Sequence, residues 1–285
     1  MTFFRTAMVG IISLCAAAVS GCAGNMTPTA SIDYELFGGG AEKVVVLHDW
    51  LGDRGNYDPI KPYLDGKTFQ FAFADLRGYG GSLTKSGAFT ATEAAMDAIS
   101  VADALGWDRF HIIGHSMTGM VVQKVAVLGG DRVKSVVATT PVYASGMQVD
   151  EGTFGFFTAA AKKPEEMGQA IQALTGGKLS EEWTSFKVER ARTRSTEEAR
   201  LAYLDMFAYE DFSDEVDGIE TPFLVLIGAN DIEAFHPPAI QATFGKWYPN
   251  LTVVQVADAG HYPMQEVPVL YATEIQKFLK AHIGG

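Results

Sequence analysis

The sequence predicts an α/β fold: a mostly parallel, doubly wound sheet with a helical segment inserted late in the chain. Three observations carry that prediction. Short β-branched, apolar runs such as Lys43–Leu47 (K-V-V-V-L) and Phe223–Ile227 (F-L-V-L-I) read as strands buried on both faces. They alternate with helical stretches, the order that builds a parallel sheet covered on both sides. Between about Tyr143 and Asp217 the alternation stops, and charged, amphipathic stretches follow one another. That interruption is too long for a plain loop and reads as a helical cap inserted in one domain.

The elements follow in order. Ile32–Phe37 is a candidate first strand, turned by Gly38-Gly39-Gly40, and Lys43–Leu47 is the second. Asp53–Leu64 reads as a helix with prolines, and Thr68–Ala74 as a strand. Thr90-Ala91-Thr92-Glu93 has capping-box spacing and opens a helix reaching about Leu105. Phe110–Ile113 is a strand, Met117–Leu128 a helix, and Val133–Ala138 a further strand. Helices are expected at Gly152–Lys163, Pro164–Leu174, Ser180–Arg194 and Thr196–Tyr209. The strand pattern returns at Phe223–Ile227 and Leu251–Val256, and a last helix is expected over Glu266–His282.

With 47% hydrophobic and 20% charged residues, the chain has material for a substantial core. Its formal net charge is −12. The acidity argues against a nucleic-acid partner, which needs a basic face, and against electrostatic docking to anionic lipid. The two cysteines, Cys15 and Cys22, both lie near the N-terminus. No thiolate metal site is expected further along, nor an internal disulfide once Cys15 is removed with a leader. No metal and no cofactor are expected.

The N-terminus has the layout of an export signal: Arg5 in a short leading segment, then an apolar run over Val9–Val19 too short to span a bilayer. Val19-Ser20-Gly21-Cys22 resembles the bacterial lipoprotein lipobox. The resemblance implies cleavage before Cys22, its lipidation, and anchorage of the exported chain to the cell envelope. In a Gram-negative host, Ala23 implies the periplasmic side of the outer membrane. An ordinary secretory signal cut nearby is the alternative. The expected organisation is a signal over 1–21, a tether over 22–31, a core from 32–142 and 218–285, and a cap over 143–217.

Chemistry centres on Gly114-His115-Ser116-Met117-Thr118-Gly119, between a strand and a helix. A turn this sharp strains its middle residue, lifts the serine oxygen clear of the sheet and aims a helix N-terminus at it. Ser116 is therefore a candidate nucleophile. Serine needs a base, and the base needs an orienting acid. Functional groups of a parallel sheet gather at strand carboxyl ends. There the late sequence offers His261 in A-G-H-Y-P and Asp231 in G-A-N-D, with Glu233 and Asp258 as lesser acids.

These motifs, with Asp75–Ser82 (D-L-R-G-Y-G-G-S), resemble the α/β-hydrolase fold family in identity and order, from about Ile32 to the C-terminus. The resemblance implies that His261 takes the Ser116 proton and returns it to the leaving group while Asp231 orients the imidazole. It also implies an oxyanion hole from the backbone N–H groups of Met117 and Trp50. Two positions depart from the family pattern: Thr118 replaces the usual elbow glycine, and Asp49 replaces the glycine of H-G. The Asp49 carboxylate is expected to face away from the oxyanion hole. His48 and His115 are expected to pack beneath the site, and Trp50 and Tyr143 to line a substrate pocket. The expected activity is acyl-enzyme hydrolysis of small, apolar carboxylic esters. Lactone, C–C bond or perhydrolase chemistry on the same triad are alternatives, as are acyl transfer, a cofactor-independent dioxygenase and a ligand-binding protein.

Overall fold

The computed structural model describes residues 1–2 and 29–284. Cys22 and residues 3–21 of the expected signal segment lie outside the described residues, and no described helix is long and apolar enough to cross a membrane. Seven strands form one sheet: β1 (Asp33–Gly38), β2 (Glu42–Leu47), β3 (Phe69–Asp75), β4 (Phe110–His115), β5 (Val133–Thr139), β6 (Phe223–Gly228) and β7 (Leu251–Val256). Their spatial order is β1-β3-β2-β4-β5-β6-β7. Only β1 runs antiparallel, pairing Asp33 with Asp75 through Gly38 with Gln70. The interior strands are buried as their β-branched composition requires, with every residue of β4 and β6 buried.

Eleven α-helices lie among the described residues. Ala91–Ala104 (α1) and Met117–Gly129 (α2) pack against each other beside the sheet. Glu151–Lys162 (α3), Pro164–Leu174 (α4), Glu181–Arg194 (α5) and Glu197–Tyr209 (α6) form the helical cap between β5 and β6. The rest are Ser213–Val216 (α7), Pro237–Ala242 (α8), Phe244–Trp247 (α9), Pro263–Glu266 (α10) and Pro268–Ala281 (α11). Side-chain caps start four of them, α1, α3, α5 and α6: Thr90 Oγ1 accepts from Glu93 N, Asp150 from Thr153 N, Ser180 from Trp183 N and Thr196 from Ala199 N.

Three local expectations are corrected. The helix expected over 53–64 is a 3-10 run, Arg54–Tyr63, containing Pro59 and Pro62, which cannot donate i→i−4 hydrogen bonds. The final helix begins at Pro268, two residues later than expected, and a separate short helix over Pro263–Glu266 that was not expected precedes it. Ser31, placed in the tether by sequence, is bonded to α1: its N–H donates to Ser100 Oγ at 3.0 Å and its hydroxyl to Asp97.

The topology decides where a site can form. From β2 the chain passes to β3 on one side, then crosses to β4 on the other. The crevice at such a switch point lies between the carboxyl ends of β2 and β4. The segment after β2 begins His48-Asp49-Trp50, and the residue after β4 is Ser116. The segment after β2 is also fastened to the cap. Asp53, fully buried at its side chain, pairs with Arg190 at 2.6 Å and Arg194 at 2.9 Å, both from α5.

Replacing Asp53 with alanine should release α5 from this segment and lower stability by about 1–3 kcal/mol, a range set by the partial exposure of both arginines. Urea unfolding of the two proteins measures the difference; an unchanged midpoint would mean that the two pairs do not hold the helix.

Candidate active site

Ser116 has φ 55° and ψ −116°, a region that side chains other than glycine rarely occupy. The strain is held by neighbours. Ser116 N–H donates to the Thr139 carbonyl at 2.9 Å, and the Ser116 carbonyl accepts from Gly119 N at 2.8 Å and Val142 N at 3.0 Å. Gly119 is needed for close approach, since a Cβ there would meet Pro141 Cβ at 2.3 Å. Thr118 fits where the family pattern has glycine because its hydroxyl is used. Oγ1 accepts from His115 N–H at 2.8 Å and lies 3.1 and 3.3 Å from the carbonyls of His115 and Leu47, tying the elbow to the end of β2.

The structure brings Ser116, His261 and Asp231 together. His261 Nε2 lies 2.8 Å from Ser116 Oγ, and His261 Nδ1 lies 2.6 Å from Asp231 Oδ2. A carboxylate at Nδ1 favours the tautomer that leaves Nε2 free to accept. Asp231 Oδ1 accepts from Ile232 N–H at 2.8 Å. Glu233 and Asp258, the alternative acids, make no bond to His261. The His261 loop is clamped from two sides. The Glu266 carboxylate accepts from Gly260 N at 2.8 Å and Tyr262 N at 2.9 Å, and His261 N–H donates to the Leu174 carbonyl of the cap at 3.0 Å. Neither clamp was read from sequence. Glu266, five residues after His261, was visible as a carboxylate on the same turn, whereas the Leu174 carbonyl has no sequence signal.

Trp50 and Met117 face the same cavity as Ser116 and His261. Neither backbone N–H is taken by a turn or loop carbonyl among the described residues. Trp50 is fixed at both ends: its indole N–H donates to the Arg200 carbonyl of α6 at 2.7 Å, and its own carbonyl accepts from Tyr79 OH at 2.9 Å. The D-L-R-G-Y-G-G-S segment thus supports the site through Tyr79. Arg77 of the same segment binds Asp97 of α1 at 2.6 and 2.9 Å and the Ser86 carbonyl at 2.9 Å. Asp49 is directed to Asn56, whose side-chain N–H it accepts. Burial alone would raise its carboxyl pKa, but Lys187 and the nearby imidazoles, led by His115, hold it down at about 2.

The cavity spans about 430 Å³ of non-atom space, part of which is open to solvent. Apart from Ser116 and His261 its walls are apolar, with Trp50, Phe157, Phe207 and Phe235 among them. Tyr143, expected at the wall, does not line it: its hydroxyl is tied to the Ala234 carbonyl, beside the Asp231 loop. His236, just before α8, bonds through Nε2 to the Asp231 carbonyl at 2.8 Å. Among the described residues no cluster of three or more His, Cys, Asp or Glu side chains is arranged to hold a metal ion.

The two histidines beneath the site are structural in their contacts. His48 Nε2 accepts from Leu76 N–H at 3.1 Å, so its Nδ1–H donates to the Asp49 carbonyl at 2.8 Å. His115 Nε2 donates to the His261 carbonyl at 2.7 Å, and its Nδ1 has no partner among the described residues. Complete burial pushes the His115 imidazole down to about 3, with partial relief from Asp49.

The strained serine between a parallel strand and a helix, bonded to a histidine and through it to an aspartate, sits in a fold shared with known proteins. The alpha/beta hydrolase fold model matches residues 43–266, and the chain belongs to that family. It is 29% identical over 265 residues to the dihydrolipoyllysine-residue acetyltransferase component of the acetoin cleaving system of Cupriavidus necator, covering 89% of this chain and 67% of that protein. The Pseudomonas putida protein of the same name is 26% identical over 254 residues, covering 87% and 66%. The chain therefore spans about two thirds of the length of these relatives. Among solved structures, a thermophilic esterase from Thermogutta terrifontis superposes with a TM-score of 0.75 at 23% identity, covering 90% of this chain and 97% of that one.

The His115 shift has a consequence for stability. Its pKa is lower in the folded than in the unfolded chain, so the unfolded state binds the extra proton first as pH falls. The neutral-His115 contribution is intact above about pH 6.5 and is lost progressively toward about pH 3, amounting to about 3 kcal/mol at about pH 4.5. Urea midpoints taken from about pH 7 to about pH 4.5 should fall less steeply for His115→Gln than for the wild type. Equal slopes would show that His115 is not the group responsible.

Proposed function

We propose that the chain is a serine hydrolase that cleaves small, apolar carboxylic esters through an acyl-enzyme. The observation that carries this reading is the unbroken relay Ser116–His261–Asp231, opening onto an apolar cavity that also contains two backbone amides without turn or loop partners. Ser116 Oγ attacks the ester carbonyl carbon as His261 Nε2 takes its proton, with Asp231 stabilising the imidazolium. The carbonyl oxygen becomes an oxyanion, and the N–H groups of Met117 and Trp50 are the donors aimed at it. Collapse expels the alkoxide, which takes the proton from His261. A water molecule, deprotonated by His261, then attacks the acyl carbon; collapse expels Ser116 Oγ, which takes that proton back from His261, and the carboxylic acid is released.

The substrate class rests on the cavity. Its walls carry no ammonium or guanidinium to hold a second carboxylate, and its small enclosed space favours a short acyl chain or small ring. Small lactones meet the same requirements and are the second reading. On the sequence, Cys22 anchors the exported enzyme to the cell envelope by lipid, with residues 23–30 as the spacer.

Ser116→Ala should lose at least about a thousandfold in kcat and all labelling by a fluorophosphonate, measured beside wild type on p-nitrophenyl esters of rising chain length and a panel of lactones. The esters should fall off steeply once the acyl chain outgrows the cavity. Full ester hydrolysis by Ser116→Ala would sink the mechanism. Separately, Cys22→Ser should move the protein from the membrane fraction to the soluble one; continued sedimentation with membranes would refute the anchor.

A further inference from the structure

Behind the Trp50 segment lies a buried polar cluster that the reaction above does not use. Asp49 is 2% exposed and supplies the carbonyl half of the peptide whose N–H belongs to Trp50. Its carboxylate accepts from the Asn56 side-chain amide. The other end of that amide, Asn56 Oδ1, accepts from Lys187 Nζ at 2.7 Å and from Gln265 Nε2 at 3.2 Å. Lys187 comes from α5 of the cap and is fully buried, with its ammonium 4.4 Å from the centre of the Tyr262 ring. Burial lowers the pKa of this amine, and the charges of Asp49 and Asp53 oppose that by favouring the ammonium.

Each charge is unfavourable alone. A buried ammonium without a countercharge bears the full loss of its hydration. A carboxylate beside an oxyanion hole opposes the negative charge that develops there. Together they cancel, and the Asn56 amide between them has its orientation set by the two ends: N–H toward the carboxylate, oxygen toward the ammonium.

We propose that Lys187 is a positioning residue of the active site. Through Asn56 it fixes the Asp49–Trp50 peptide, and it supplies the countercharge that lets Asp49 occupy the position next to the oxyanion donor. A residue of the cap, remote in sequence from Ser116, therefore sets the electrostatics of the transition state. This inference rests on the serine-hydrolase reading and goes beyond it.

The two partners should respond unequally. Lys187→Met leaves an uncompensated carboxylate behind the oxyanion hole, and should lower kcat on p-nitrophenyl butyrate about tenfold or more while KM changes less than about twofold. Asp49→Asn keeps an oxygen for the Asn56 amide and leaves a cation, so its kcat should fall by no more than about threefold. The Asp49→Asn/Lys187→Met double variant removes both charges and should recover most of the kcat lost in Lys187→Met, a non-additivity that loss of packing does not produce. Wild-type kcat in Lys187→Met, or equal losses in the two single variants with no recovery in the double, overturns the proposal. If Lys187→Met does not fold, the double variant carries the test: it buries no unpaired charge, and a folded but inactive double variant also overturns the proposal. Fluorophosphonate labelling separates the two levels. An unlabelled wild type overturns the hydrolase reading and this proposal with it, whereas a labelled wild type beside an unaffected Lys187→Met overturns this proposal alone.

Discussion

The backbone of Ser116 is the constraint on which the rest of the site depends. A non-glycine residue at φ 55° and ψ −116° costs on the order of 1–3 kcal/mol and persists only where its surroundings leave no alternative. Here β4 delivers the chain buried, the Thr139 carbonyl holds the Ser116 N–H, and two later amides hold its carbonyl. The glycines flanking the turn serve close contact: a Cβ on Gly114 would meet the Thr118 carbonyl oxygen at 2.4 Å. The result is a hydroxyl raised above the strand ends, at the one place where β6 and β7 can bring an acid and an imidazole to meet it.

Much of this was legible in the sequence because it depends on local pattern. Strands buried on both faces show as short β-branched runs, and their carboxyl ends fix where Ser116, Asp231 and His261 emerge. The bounds of β7 and α4 match the sequence reading, since an alternation of strand and helix and a proline at N1 are local signals. What was not legible depends on distant chain segments. Tyr143 was assigned to the pocket as an aromatic after a strand, but the Ala234 carbonyl, far along the chain, holds its hydroxyl elsewhere. The Leu174 carbonyl that accepts from His261 has no side-chain signature at all.

Lys187 is the instructive intermediate case. Its helix, E-E-W-T-S-F-K-V-E-R-A-R-T-R, reads as amphipathic and rich in charge. Thr184, Lys187 and Ala191 nevertheless recur at helical spacing, and these three are the buried residues of α5. Lysine at a buried helical position is a local inconsistency, and such inconsistencies gather where function or specificity requires them. The unusual Asp49 of the H-D-W segment is its counterpart. Each is hard to place alone; the tertiary structure puts both on the same asparagine side chain.

The same contacts make the cap part of the active-site framework as well as its roof. The α4 terminus holds the His261 backbone, α6 holds the Trp50 indole, and α5 holds Asp53 and Asn56. Trp50 is the joint between them. Its ring meets Phe157 and Phe207 of the cap edge-on, at 5.8 and 5.4 Å, and so forms pocket wall, while its backbone lies next to Ser116 across the switch point. A cap movement that enlarges the pocket must displace the Trp50 ring, and the Trp50 peptide is anchored through that ring to α6 and through its carbonyl to Tyr79. If Trp50 is the oxyanion donor proposed above, substrate size and oxyanion geometry are coupled through one residue. On the proposed mechanism, acyl groups that force the cap outward are disfavoured by loss of pocket contacts and again by displacement of the Trp50 donor.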